Sequence, residues 1–252
     1  MNIFDRLRIE KPDFVTKIKI IDGDLDQSLL GLSSDDPGWL IENVNFIFHC
    51  AATVRFNETL HTATKINIQG TNDILDLASM MKNLKGIVHV STAYSHCPRN
   101  IIREEFYPTP ITAKELKNMS IDEISRANIL ENWPNTYTFT KAITENMILN
   151  YDNQLPISIF RPSISKMLKI YSKTENTSDL LKEFTTREWS FDNENTKKLW
   201  LSLSKEDRNM FWFSLEKFDW KDYLNIYYFG IRKHILHEDL SNTKKAVLKN
   251  RK

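Results

Sequence analysis

The sequence predicts an α/β fold: a parallel sheet with helices on both faces, followed by a small helical domain. Three observations carry this. Compact apolar, β-rich runs recur along the first two thirds of the chain. Between them lie segments whose apolar residues fall at steps of three and four, the mark of a helix with one buried stripe. Strands that alternate with helices pair in parallel, because a parallel neighbour needs a crossover and the crossover helix covers the sheet. Finally, composition changes after residue 183, where aromatic side chains crowd together.

In chain order, residues 1–16 read as a polar helix running into a loop at Pro12. KIKIIDGDL (17–25) reads as a short strand closed by the turn residues Asp22-Gly23-Asp24. Residues 26–44 are helix-prone between Leu29 and Leu40, with an interruption at Pro37-Gly38. VNFIFHCAA (44–52) suits a buried strand. Residues 58–81 place Ala63, Ile66, Gly70, Ile74, Leu77 and Met81 on one helical stripe. GIVHVST (86–92) is a further buried strand. Residues 93–135 carry Pro98, Pro108, Pro110 and Pro134 and read as loop, with a short helix near 121–131. YTFTKAITENMILNY (137–151) reads as a helix burying Phe139, Ala142, Ile143 and Met147, and ISIFRP (157–162) as the fourth strand.

These elements divide the chain into a partial Rossmann-like nucleotide-binding domain (1–165), a polar linker (166–183), a C-terminal helical domain (184–240) and a basic tail (241–252). In the helical domain Leu224, Tyr227, Tyr228, Ile231 and Ile235 have helical spacing, and most of the aromatics are expected in its core.

Composition narrows the function. The 252 residues are 41% hydrophobic with a formal net charge of +1, which fits a folded domain and gives no footprint for nucleic acid. The two cysteines, Cys50 and Cys97, lack metal-ligand spacing and fit a reducing, intracellular compartment. No apolar run is long enough to span a bilayer. The six glycines are too scattered to form G-x-G-x-x-G or a Walker loop.

The sharpest chemical feature is Tyr137-Thr-Phe-Thr-Lys141. On a helix, residues four apart are separated by about 40° and share a face. A free phenol is a poor proton donor or acceptor near neutrality, and a nearby ammonium is expected to lower its pKa into a usable range. Ser91-Thr92 ends a predicted parallel strand, where a hydroxyl can bond a substrate carbonyl oxygen; its alternative is to cap the next segment. His49 and Cys50 close the preceding strand, with burial as the plainer reading, and the small residues Ala51 and Ala52 would admit a flat cofactor. Asp24 can accept from an adenine amino group or form an Asx turn. Arg55 can pair with a carboxylate or touch a ligand, and Arg161-Pro162-Ser163 ends the fourth strand rigidly.

Taken together, KIKIIDGDL, VNFIFHCAATVRFNETLHTATKINIQGT, VHVSTAYSHC, YTFTKAITE and ISIFRPSI resemble the alcohol-forming fatty acyl-CoA reductases, particularly the insect type, of the extended short-chain dehydrogenases. EFTTREWSFDNENTKKLW, DWKDY and FGIRKHIL resemble that family's C-terminal helical domain and argue against a steroid or nucleotide-sugar dehydrogenase. The resemblance implies a catalytic pair Tyr137 and Lys141, with Thr92 or Ser91 as hydroxyl partner. It implies an NADPH site lined by Asp24, Leu25, Cys50, Ala51, Ala52, Asn67, Lys141, Pro162 and Ser163. It further implies that long-chain fatty acyl-CoA is reduced first to an aldehyde and then to a fatty alcohol, without metal. The implied setting is the cytoplasm or the cytoplasmic side of the endoplasmic reticulum or peroxisome, with peripheral membrane contact. Two departures stand against the family pattern. Its opening strand, glycine-rich turn and helix have no counterpart here, and only 164–182 separates Ser163 from the helical domain. The expectation is therefore weak NADPH binding and a chain inactive as it stands. The alternative is a non-catalytic relative, or a gene fragment, that binds lipid or a partner.

Overall fold

The computed structural model describes residues 4–120, 123, 129–151, 153–163, 182–184, 186–216 and 218–234. The chain divides into two compact units, Ile20–Asn193 and Met1–Lys19 with Glu194–Lys252.

The larger unit is built on three parallel strands, β1 (Phe46–His49), β2 (Gly86–Val90) and β4 (Ile157–Phe160), in the order β1-β2-β4. Register pairs His49 with His89 and His89 with Ile159. A short second pair joins β3 (Ile101–Ile102) to β5 (Ser190–Phe191). Because side chains alternate across a strand, Ile47, Ile87, Ile157 and Ile159 share one face of the sheet with His49 and His89. That face packs on helix α4 (Gly70–Ser79) and helix α6 (Thr136–Ile148). Ile68, Leu75, Ile87, Phe139 and Ile143 are almost completely buried there. Each such side chain contributes about 1.5–3 kcal/mol on leaving water. The parallel, helix-flanked sheet expected from the sequence is present, but the described helices cover one face. On the other, Phe46, Phe48 and Phe160 are largely exposed.

Several local expectations are corrected. Residues 18–24 form no strand; Asp24 N–H turns back to the Leu30 carbonyl at 2.7 Å instead of joining a ladder. Pro12 opens a 3₁₀ turn (Pro12–Lys17) after helix α1 (Asp5–Glu10), and Pro37 starts helix α2 (Asp36–Asn43) rather than interrupting one. Proline suits a first helical turn, where no N–H is needed. The helix expected over 58–81 comprises α3 (Leu60–Ala63), a π-helical stretch (Thr64–Gln69) and α4. The π stretch rotates the buried face to Thr64, Asn67, Ile68, Thr71, Leu75 and Ala78, so Ile66, Ile74 and Leu77 are only half-buried. Helix α5 (Ala113–Asn118) lies inside the region read as loop, started by a reciprocal Thr112–Glu115 capping box. The helix proposed near 121–131 lies mostly outside the described residues, as do most of the linker and the whole basic tail.

In the smaller unit, helices α7 (Glu194–Ser202), α8 (Lys205–Met210) and α9 (Trp220–His234) carry the aromatic-rich sequence; Ile235 and the residues beyond it lie outside the described residues. Rings gather in small groups, such as Trp200 with Trp212 and Phe213 at 5.3 and 5.2 Å. The expectation that most of these aromatics form a core is overturned: Phe211, Trp212, Trp220 and Tyr228 are each more than half exposed. Short helices offer too little opposing surface to enclose so many large rings. Among the described residues no helix is long and apolar enough to cross a membrane.

Candidate active site

The carboxyl ends of β1, β2 and β4 form one rim. They continue into Cys50-Ala51-Ala52, Ser91-Thr92 and Arg161-Pro162-Ser163 respectively. In an open parallel sheet, ligands bind beyond this rim.

Helix α6 crosses it with Tyr137, Lys141 and Glu145 on successive turns of one face. Its first turn is fixed by Asn135, whose side chain accepts from Thr138 N–H at 2.9 Å. The three side chains meet three consecutive residues at the end of β2. Tyr137 faces the Thr92 side chain, whose hydroxyl acts on the phenol. Lys141 Nζ donates to the Val90 carbonyl at 2.8 Å. Ser91 Oγ donates to Glu145 Oε1.

The electrostatics differ from the sequence expectation at Tyr137. Burial raises its pKa above the ordinary phenol value, while the Thr92 hydroxyl works the other way. Its ring is stacked on Phe56 at 5.8 Å, which keeps water off one face. The Lys141 ammonium, meanwhile, is directed to the Val90 carbonyl. Burial lowers Lys141 to about 8, while Glu145 and Cys50 act to raise it. Ser91 is drawn away from the rim: it is buried against Glu145, which leaves Thr92 as the hydroxyl beside the phenol.

Sequence reasoning missed Glu145. It is 1% exposed, and burial alone would raise its pKa. His96 Nε2 at 3.0 Å and Arg161 Nη2 at 2.6 Å outweigh this and bring it to about 2. The four-residue step from Lys141 to Glu145 was visible, but nothing in the sequence said that Arg161, His96 and Ser91 converge on it.

Asn67 locks the loop after β1. Its Oδ1 accepts from Thr53 N–H at 2.9 Å, and its Nδ2 donates to the Thr53 carbonyl at 3.2 Å and to Thr140 Oγ1 at 2.9 Å. Cys50 and Ala51 are exposed and Ala52 is half-buried, so burial fails for Cys50. His49 is buried. The Thr71 hydroxyl donates its one proton to the Asn67 carbonyl at 2.7 Å, so the 2.9 Å contact with His49 Nε2 has the imidazole as donor. That assigns the neutral Nε2–H form, in keeping with a pKa lowered by burial to about 4. Asp24 makes the Asx turn, accepting from Asp26 N–H at 2.9 Å. Leu25 packs against Gly70, where an added Cβ would meet its Cδ2 at 2.9 Å. Arg55 is exposed and 4.0 Å from Glu58. Pro162 accepts from Ala93 N–H at 3.0 Å, and Ser163 is exposed.

The chemistry of these residues fits the nicotinamide half of a dinucleotide. A cation with one of its N–H groups anchored, a phenol, a hydroxyl and a small-residue turn line one rim. For the pyrophosphate half, none of the six glycines lies in a glycine-rich turn at a helix N-terminus.

The NAD-binding model of the male sterility protein family matches residues 1–187, and a second model of the same description matches 153–238. Fatty acyl-CoA reductase 1 of Gallus gallus is 45% identical over 168 residues, which are 64% of this chain and 33% of that protein. Fatty acyl-CoA reductase wat of Drosophila melanogaster is 40% identical over 168 residues, 64% of this chain and 32% of that protein. The chain thus spans about a third of the length of these curated relatives. Among solved structures, the terminal R domain from the myxalamid PKS-NRPS biosynthetic pathway is 26% identical with a TM-score of 0.46, covering 59% of this chain and 34% of that one.

Proposed function

Because the chain belongs to the male sterility protein family, we propose that it acts in the NADPH-dependent reduction of a long-chain fatty acyl-CoA, through the aldehyde to the fatty alcohol. The names of its relatives support the substrate class. The observation that carries the chemistry is the side-chain ladder joining α6 to the end of β2.

A dinucleotide held at the rim would supply the hydride. Thr92 Oγ1–H and Tyr137 Oη–H converge on the acyl carbonyl oxygen and stabilise the negative charge that gathers there. Tyr137 Oη then gives its proton to that oxygen; in the thioester round the hemithioacetal so formed breaks its C–S bond to give the aldehyde and CoA thiol, and in the aldehyde round the protonated product is the alcohol. A phenol raised by burial is protonated at neutral pH, so it is set as an acid, the role that carbonyl reduction requires. Lys141 keeps one N–H on Val90, so its remaining N–H groups would hold the ribose hydroxyls of a bound dinucleotide, and its charge favours the phenolate left after proton transfer. Cys50, Ala51 and Ala52 admit the flat ring, held in place through Asn67 and Thr53.

Steady-state kinetics with a long-chain acyl-CoA test this. Tyr137→Phe is expected to lower kcat/KM by roughly a hundred- to ten-thousand-fold. NADPH affinity measured by calorimetry should stay unchanged. Equal turnover in the variant would remove the proposed acid. A second reading, a lipid-binding relative without turnover, is favoured by the exposure of Met210, Phe211 and Trp212.

A further inference from the structure

We propose that Glu145 is a positioning residue that pins the Tyr137–Lys141 turns of α6 to the end of β2 and acts as the buried counter-charge of Lys141. The functional consequence rests on the reductase reading; the electrostatic one holds without it.

A buried carboxylate is costly unless it is paired and fully hydrogen-bonded. Glu145 is satisfied by two other segments, residues 91–96 and Arg161. Ser91 Oγ donates to it from the end of β2, and His96 Nε2 lies 3.0 Å away in the following loop. Arg161 reaches it from the end of β4 with Nε at 3.1 Å and Nη2 at 2.6 Å. Arg161 is itself held, since Nη1 and Nη2 donate to the carbonyls of Arg103 and Glu105 at 2.9 Å each. The rung from Glu145 to Ser91 lies next to the rung from Lys141 to Val90, and Thr92, the partner of Tyr137, follows in sequence. A helix fastened at two consecutive turns to two consecutive strand residues cannot shift one rung without moving the other, and Tyr137 rides on the same face one turn earlier.

The charges around Lys141 come from every element packed on it. Cys50 faces it from the end of β1, His49 and His89 from β1 and β2, and Glu145 from its own helix. Both imidazoles are lowered by burial; of the two groups that favour the charged ammonium, Glu145 acts more strongly than Cys50. Arg161 pairs with that same carboxylate at 2.6 Å.

Opposite effects are therefore expected from two variants. Lysine side-chain NMR on the full chain would follow the titration of Lys141 in wild type, Glu145→Gln, Glu145→Asp and Arg161→Gln. Glu145→Gln should move the midpoint down by about one pH unit and Arg161→Gln should move it up, because each removes one nearby charge of known sign. Glu145→Asp should restore it. In acyl-CoA reduction the alkaline limb of kcat/KM should move with the midpoint. A purely structural role would lower the melting temperature and leave the midpoint in place; that outcome, in both variants, overturns the proposal. Should Glu145→Gln not fold, the direction of the Arg161→Gln shift decides. Absence of wild-type turnover would sink the reductase reading, while the NMR shift still decides the counter-charge.

Discussion

His89 is 1% exposed, and neither of its ring nitrogens has a hydrogen-bond partner. Its ring lies 5.4 Å from that of His49, the residue opposite it in register. Burial, with Lys141 nearby, lowers its pKa from 6.5 to about 3. The folded state therefore resists a proton that the unfolded chain accepts. Stability is intact above pH 6.5 and falls as pH drops from there toward 3, by about 1.4 kcal/mol per pH unit for each such group. His49, lowered to about 4, adds to the slope over most of that range. Replacing His89 by leucine removes an unsatisfied polar group along with the titration. Thermal melts of His89→Leu should show a shallower fall between about pH 6 and 4 and a melting temperature at neutral pH no lower than wild type. An unchanged acid slope would mean that the imidazole is paired in solution. At this scale the sequence exposed the Tyr137 and Lys141 pair through a spacing of four. It could not expose Glu145 or His89, whose roles depend on what lies across the sheet from them.

Between β1 and β2, the run from Leu60 to Ser79 is continuously helical, and the sequence indicated as much. The phase of its buried face was not legible, because a π stretch leaves no mark in a 3.6-residue pattern. The Asn67 carbonyl within that stretch accepts from Thr71 Oγ1 at 2.7 Å and Thr144 Oγ1 at 3.1 Å, which ties α4 to α6. Gly70 follows directly, where the helix touches the loop at Leu25. An alanine there would gain about 1 kcal/mol in helix propensity. Its Cβ would meet Leu25 Cβ at 3.0 Å and the Leu25 carbonyl oxygen at 3.2 Å, neither of which can swing aside. Overpacking of this kind costs about 1–3 kcal/mol, so the contact outweighs propensity. Gly70→Ala should lower the urea midpoint with m unchanged; a rise would show that the 20–32 loop yields freely.

Among the described residues, large apolar side chains are exposed in both units. In the smaller unit Met210, Phe211, Trp212 and Trp220 lie within one short stretch, each more than half exposed. Exposed patches of large rings mark sites that meet a partner or a lipid surface. Flotation with neutral phosphatidylcholine vesicles should recover the wild-type chain. Phe211→Ser with Trp212→Ser should reduce partitioning by roughly tenfold or more, given the transfer energy of two such side chains. Equal flotation would assign those rings to another role. The sequence by itself determined the alternation of strand and helix, the parallel sheet and the placing of Tyr137 beside Lys141, because periodicity and i,i+4 spacing are local properties. Only the tertiary structure decided that Ser91 bonds Glu145, that burial raises the Tyr137 pKa, and that residues 18–24 find no strand partner. Each of those outcomes depends on desolvation and on contacts between distant segments, and neither is written in the order of neighbouring residues.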